Sequence, residues 1–85
     1  MSADDLAAFI VNLRTRLDRG DFANHPPIDL DNGHRLTNVE VAIRTMLEYV
    51  DFYAAKSPGQ KRRSTVAARR RLLAANLRRL RGLLD

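Results

Sequence analysis

The chain has no cysteine. That excludes disulfide staples, a thiol nucleophile and any metal site built on thiolates, and it fits a reducing cytosol. Long apolar runs are missing too. None approaches the roughly 20 residues of a membrane span. The start, Met1-Ser2-Ala3-Asp4-Asp5, is acidic where a secretory signal would be basic and then apolar. A cytoplasmic chain is expected. There is no glycine-rich phosphate loop, no nucleophile motif and no carboxylate pair with room for an enclosing pocket, so neither catalysis nor a small-molecule substrate is expected. Tryptophan is absent, and the basic C-terminal segment has no phenylalanine either. That segment lacks the aromatic anchors of a helix lying on a membrane.

Arginine, by contrast, is abundant: thirteen of the fifteen basic residues. Alanine is common as well, a bias that GC-rich coding produces, so not every arginine need be a contact. Residues 1–60 carry six basic and nine acidic groups, a net of −3, and residues 61–85 carry nine basic and one acidic, a net of +8; together they give the chain's +5. Asymmetry of this kind marks a cationic element aimed at something anionic, or one neutralised by acidic helices earlier in the chain.

At 85 residues the chain makes one small domain, 1–85. A domain this size buries only about 60% of its unfolded surface, so its core is thin. Ser2 reads as an N-cap, with Asp4 and Asp5 in the first turn suiting the helix dipole. Leu6, Phe9, Ile10, Leu13 and Leu17 follow at helical spacing and Gly20 is a natural terminator, which predicts a first helix over Ala3–Arg19. Pro26-Pro27 then imposes an extended path. Asn32-Gly33 between alternating apolar residues signals a tight turn. A three-residue loop sets Leu30 against Leu36 and Asp31 against Arg35, with Phe22, Ile28, Leu30 and Leu36 plugging the end of the core.

Thr37 and Glu40 have the spacing of a capping box, and a second helix is predicted over Asn38–Lys56. Val39, Ile43, Met46, Val50 and Tyr53 make one stripe. Val41, Tyr49 and Phe52 lie off it, so this helix is either central to the fold or part of a subunit interface. Ser57-Pro58-Gly59-Gln60 breaks the chain. Ser57 is one candidate cap for the last helix. Ser64 or Thr65 is the other, and the later start is preferred because Gly59 and the Lys61–Arg63 run weaken the first turns. Ala67, Ala68, Ala74 and Ala75 support helix to Leu83. Val66, Leu73, Leu77, Leu80 and Leu84 form its apolar stripe, widened by Leu72 and Leu83. Under three heptads is short for a coiled coil, so the stripe reads as core.

The expected fold is therefore all-α: three helices with a turn or short hairpin between the first two, the last two packed antiparallel. The surplus apolar positions Val41, Phe52, Leu72 and Leu83 point to an interface and to a helical homodimer.

The functional candidates follow from the arginines. Guanidinium forks bind two phosphate oxygens and stay charged. Arg62, Arg63, Arg69, Arg70, Arg71, Arg78 and Arg79 are the candidate contacts. Only Asn76 among them suits base edges, so little base specificity is expected. The reading is a non-enzymatic, nucleic-acid-associated protein. Its alternative is an adaptor or inhibitor docking on an acidic protein surface, a class that phages and mobile elements often encode; a third is self-assembly through opposite charges. The run from Asp29 partly matches a calcium loop, with Asp31 and Glu40 at ligand positions. Gly33 and His34 break the pattern, and the capping box also explains Glu40. His25 and His34 lack the spacing of a metal pair and read as surface residues. No cofactor or metal is expected.

Overall fold

The computed structural model describes residues 3–31 and 33–84. In chain order it has helix α1 (Ala3–Asp18), strands β1 (Ile28–Asp29) and β2 (Arg35–Leu36), helix α2 (Val39–Ala54), a single-turn helix α3 (Pro58–Lys61) and helix α4 (Ser64–Leu84). The Ser2 cap lies outside the described residues.

The first helix stops where its glycine demands. Gly20 has φ +78°. Its N–H donates to the Leu17 carbonyl at 3.1 Å and the Asp21 N–H to the Arg16 carbonyl at 3.0 Å. This is a Schellman motif, and it satisfies two carbonyls that the helix end would otherwise leave open. The turn also folds Phe22 under the Arg16 guanidinium, 5.0 Å from the ring centre, and buries the ring.

The hairpin forms in a register other than the expected one. Ile28 pairs with Leu36 and Asp29 with Arg35, and the Leu30 N–H donates to the His34 carbonyl at 2.9 Å. The loop is still three residues long, but it spans 31–33 rather than 32–34. Its ends take positive φ, +62° at Asp31 and +84° at Gly33. Aspartate and glycine are residues that tolerate that region. Asn32 itself lies outside the described residues. Because the shift is by two, inward and outward faces are kept. Ile28 and Leu30 stay buried, Leu36 packs on the core, and it is Asp29 rather than Asp31 that meets Arg35, at 3.5 Å.

The cap of α2 also moves by one residue. The Asn38 side chain, not Thr37, accepts the Val41 N–H at 3.1 Å. Glu40 therefore falls at the second helical position rather than the third, and it pairs with Arg44 at 3.7 Å.

After α2 the chain turns through α3. The Ser57 hydroxyl accepts the Gln60 N–H at 3.3 Å, the Gln60 side-chain oxygen accepts the Ser57 N–H at 2.9 Å, and Pro58 opens the turn. Both candidate starts are thus used: Ser57 caps a separate turn and the long helix begins afresh at Ser64. Among the described residues four helices replace the expected three. Neither Ser64 nor Thr65 is a cap, since both lie inside α4.

The three long helices share one core. Phe9 and Leu13 of α1, Val39, Ile43 and Leu47 of α2, and Leu77 and Leu80 of α4 are buried together with Phe22, Ile28 and Leu30. Leu6, Ile10, Leu17, Met46, Val50, Leu73 and Leu84 pack against them. Burying a side chain such as Leu13 or Ile43 contributes about 2–3 kcal/mol. Arg14 links α1 to α2: its two terminal nitrogens donate to both Asp51 oxygens at 2.7 and 3.3 Å. The last helix packs on α2, and Tyr49, Tyr53, Arg69, Leu72, Leu73 and Asn76 of the two helices line one groove. No helix among the described residues is long and apolar enough to cross a membrane.

Candidate nucleic-acid interface

Alanine, leucine and arginine are all strong helix formers, and they give α4 its 21 residues. Its start is electrostatically adverse. Arg62 and Arg63 precede it and no acidic residue lies in its first turn. Cations at the positive end of a helix dipole cost a few tenths of a kcal/mol each at an exposed site, on the order of the usual dipole effect with its sign reversed.

The arginines divide sharply by position. All five before residue 60 are paired: Arg14 with Asp51, Arg16 and Arg19 with Asp21, Arg35 with Asp29 and Arg44 with Glu40. Among the described residues, Arg62, Arg63, Arg69, Arg70, Arg71, Arg78 and Arg79 form no ion pair, and all seven are exposed. The ion pairs described engage four carboxylates, Asp21, Asp29, Glu40 and Asp51, all with arginines before residue 60. Arg81 is partly buried and has a partner.

At about 100° per residue the seven do not form one blade. Arg70, Arg71 and Arg78 line a hollow floored by Ala67 and Ala74. Arg69 lies on the opposite flank, toward α2. Arg79 faces away from the leucine stripe, and Arg62 and Arg63 sit at the break between α3 and α4. Small alanine side chains let the Arg70, Arg71 and Arg78 stems flank an open trough rather than pack together. Such a trough can accept an anion with several acidic oxygens, each guanidinium offering parallel N–H donors.

The candidate interface residues are also exposed. Val41, Phe52, Leu72 and Leu83 stand about half open, with Tyr49 and Val11 beside them in that class. The sequence reading kept Tyr49 off the core stripe but missed what it does. Tyr49 stacks on Tyr53, centroids 6.1 Å apart at 22°, and Phe52 meets Tyr53 edge-on at 5.3 Å and 71°. The Lys56 ammonium lies 4.3 Å over Phe52. The signal was the i, i+4 spacing of Tyr49–Tyr53 and Phe52–Lys56, which puts each pair on one face of a helix.

The partial calcium pattern is spent on other bonds: Asp29 faces Arg35 and Glu40 faces Arg44. His25 Nδ1 lies 2.8 Å from the Pro26 carbonyl oxygen. Among the described residues no three His, Asp or Glu side chains converge as metal ligands. The chain matches no protein-family model, and no curated protein or solved structure shows significant similarity to it.

Proposed function

We propose that this is a non-enzymatic binding protein that holds the phosphates of a nucleic acid along α4, with little base specificity. The observation that carries the reading is the division among the arginines: every one in the first half is paired, while seven in and before α4 are exposed without a described carboxylate. Clustered unpaired cations repel one another, and an outside polyanion relieves that repulsion while releasing its own counterions. The adverse charge at the start of α4 works in the same direction.

Electrophoretic mobility shifts test this. A mixed-sequence DNA or RNA should be retarded at about 50 mM salt, with affinity falling steeply toward about 200 mM. Absence of a shift at low salt ends the proposal.

A second reading rests on the half-exposed Val41, Phe52, Leu72 and Leu83. Apolar positions of this size suit a protein interface, either a homodimer or the docking face of a phage- or mobile-element-type adaptor or inhibitor on an acidic host protein. Light scattering across a salt series reads the dimer. Capture from nuclease-treated lysate reads the partner: a specific protein that survives nuclease favours this second reading.

A further inference from the structure

Resting on the phosphate-binding reading, we infer that the groove between α2 and α4 stacks unpaired bases, so that the preferred ligand is a single strand rather than a duplex. The groove is lined by Tyr49, Tyr53, Arg69, Leu72, Leu73 and Asn76. Its aromatic content is arranged in a particular way. Tyr53 is 8% exposed and buried, while Tyr49 in the groove and Phe52 beside it, outside the lining, are 50% and 55% exposed and lean on it. Two open rings are thus held by a third, and they lose little side-chain freedom when a flat partner arrives. Every nucleobase has a π-face, so stacking is indifferent to sequence. This fits an interface with few groups for reading base edges.

Charge selects a polyanion over other flat or apolar partners. Arg69 lies in the groove and Lys56 sits over Phe52 at its edge. The carboxylates in the same turns of α2, Glu48 and Asp51, line a separate hollow with Arg14 and Arg44. The groove lining itself therefore has no acidic residue, and Glu48, one turn before Phe52, is the carboxylate nearest to the open rings. A second copy docked through the same groove would bring its own cationic α4 against this one. A strand with phosphates outside and bases inward meets both requirements at once. A duplex hides its base faces and can reach only the arginines.

The test compares a labelled single-stranded homopolymer of about 20 nucleotides with a duplex of the same length, by anisotropy at low salt, with intrinsic emission followed in parallel. The chain has two tyrosines and no tryptophan, so tyrosine emission reports on the groove directly. The single strand should bind on the order of tenfold more tightly or better, and it should quench tyrosine emission. Tyr49→Leu and Phe52→Leu keep an apolar side chain at half-exposed positions while removing the ring. Each should weaken single-strand binding by about tenfold and leave duplex binding unchanged. Equal affinity for both ligands, no quenching and unaffected leucine variants overturn the stacking inference. If Arg71→Ser and Arg78→Ser still weaken binding in that case, the phosphate reading survives it. Failure to bind either nucleic acid overturns both. Self-association that Tyr49→Leu abolishes, with nucleic-acid binding intact, assigns the groove to a second copy and also overturns the inference.

Discussion

Two glycines show how one substitution changes sign with its place in the backbone. At Gly20 the chain needs φ +78°, and an added Cβ meets nothing within 4 Å. The cost of alanine there is conformational alone, about 1 kcal/mol or slightly more. Gly82 lies inside α4, its surroundings are equally open, and no positive φ is required. Alanine there should stabilise by up to about 1 kcal/mol through helix propensity and a less mobile unfolded chain. Urea denaturation of Gly20→Ala and Gly82→Ala should move the midpoint in opposite directions. The core gives the upper bound for single changes. Leu13 and Ile43 are both 0% exposed, and alanine at either should cost about 2–5 kcal/mol. The half-open Phe52 should tolerate leucine with a loss below about 1 kcal/mol.

For the helices, the sequence carried the existence and the faces better than the junctions. The stripes of α1 and α4 were readable because each is long, strictly periodic and rich in leucine. Within α2 the buried Leu47 was passed over, because a helix apolar on more than one side offers several stripes and only its neighbours choose among them. Junctions failed where two polar residues compete. Thr37 and Asn38 both make good caps, and local pattern alone does not choose between them; the fold uses Asn38. The same holds for the hairpin: Asp31 takes the positive φ that the pattern assigned to the Asn-Gly pair, and this moves the register by two. At the candidate site, the seven exposed arginines were visible as a charge run. Their lack of partners was not, because it depends on which carboxylates the fold spends elsewhere. The cap assignment yields a direct comparison. Asn38→Ala should lower stability by about 1 kcal/mol, and Thr37→Ala should change it by less than about half of that. Thermal melts of the two variants decide between the caps.

The molecule as a whole extends 40 × 27 × 22 Å with a radius of gyration of 13.2 Å, somewhat above the roughly 12 Å of a sphere-like domain this size. Helix α4 is about 31 Å long at 1.5 Å per residue and carries five of the seven unpaired arginines along its length. Binding should therefore depend on summed charge rather than on any one contact. Each arginine that neutralises a phosphate should lower the magnitude of the log–log salt slope by about 0.9 when removed, if the ligand is duplex, and by about 0.7 for a single strand. Replacing Arg70, Arg71 and Arg78 by serine should flatten the slope by about 2 to 3. An unchanged slope would take those three residues out of the interface. The same charge concentration predicts that a polyphosphate raises the melting temperature at low salt and has little effect on the triple variant, because an anion bound only by the folded chain stabilises it. The ion pairs of the first half should respond weakly in both cases, since each is exposed or half-exposed and already satisfied.

The connections also set an order of assembly. Nine residues, 55–63, join α2 to α4, and part of that span is the capped turn α3, whereas twenty residues, 19–38, separate α1 from α2. Closing the longer link costs roughly 0.7 kcal/mol more by loop length alone, and the hairpin must also find its pairing. The α2–α4 pair should accordingly form in the folding transition state, with α1 docking afterwards. Ile43→Ala and Leu77→Ala should then slow refolding, while Leu13→Ala should mainly speed unfolding, as stopped-flow chevrons can show. The arginine-bearing helix would be seated on its neighbour before the first helix arrives, and its charged face would be ready for an anion while the rest of the chain is still closing.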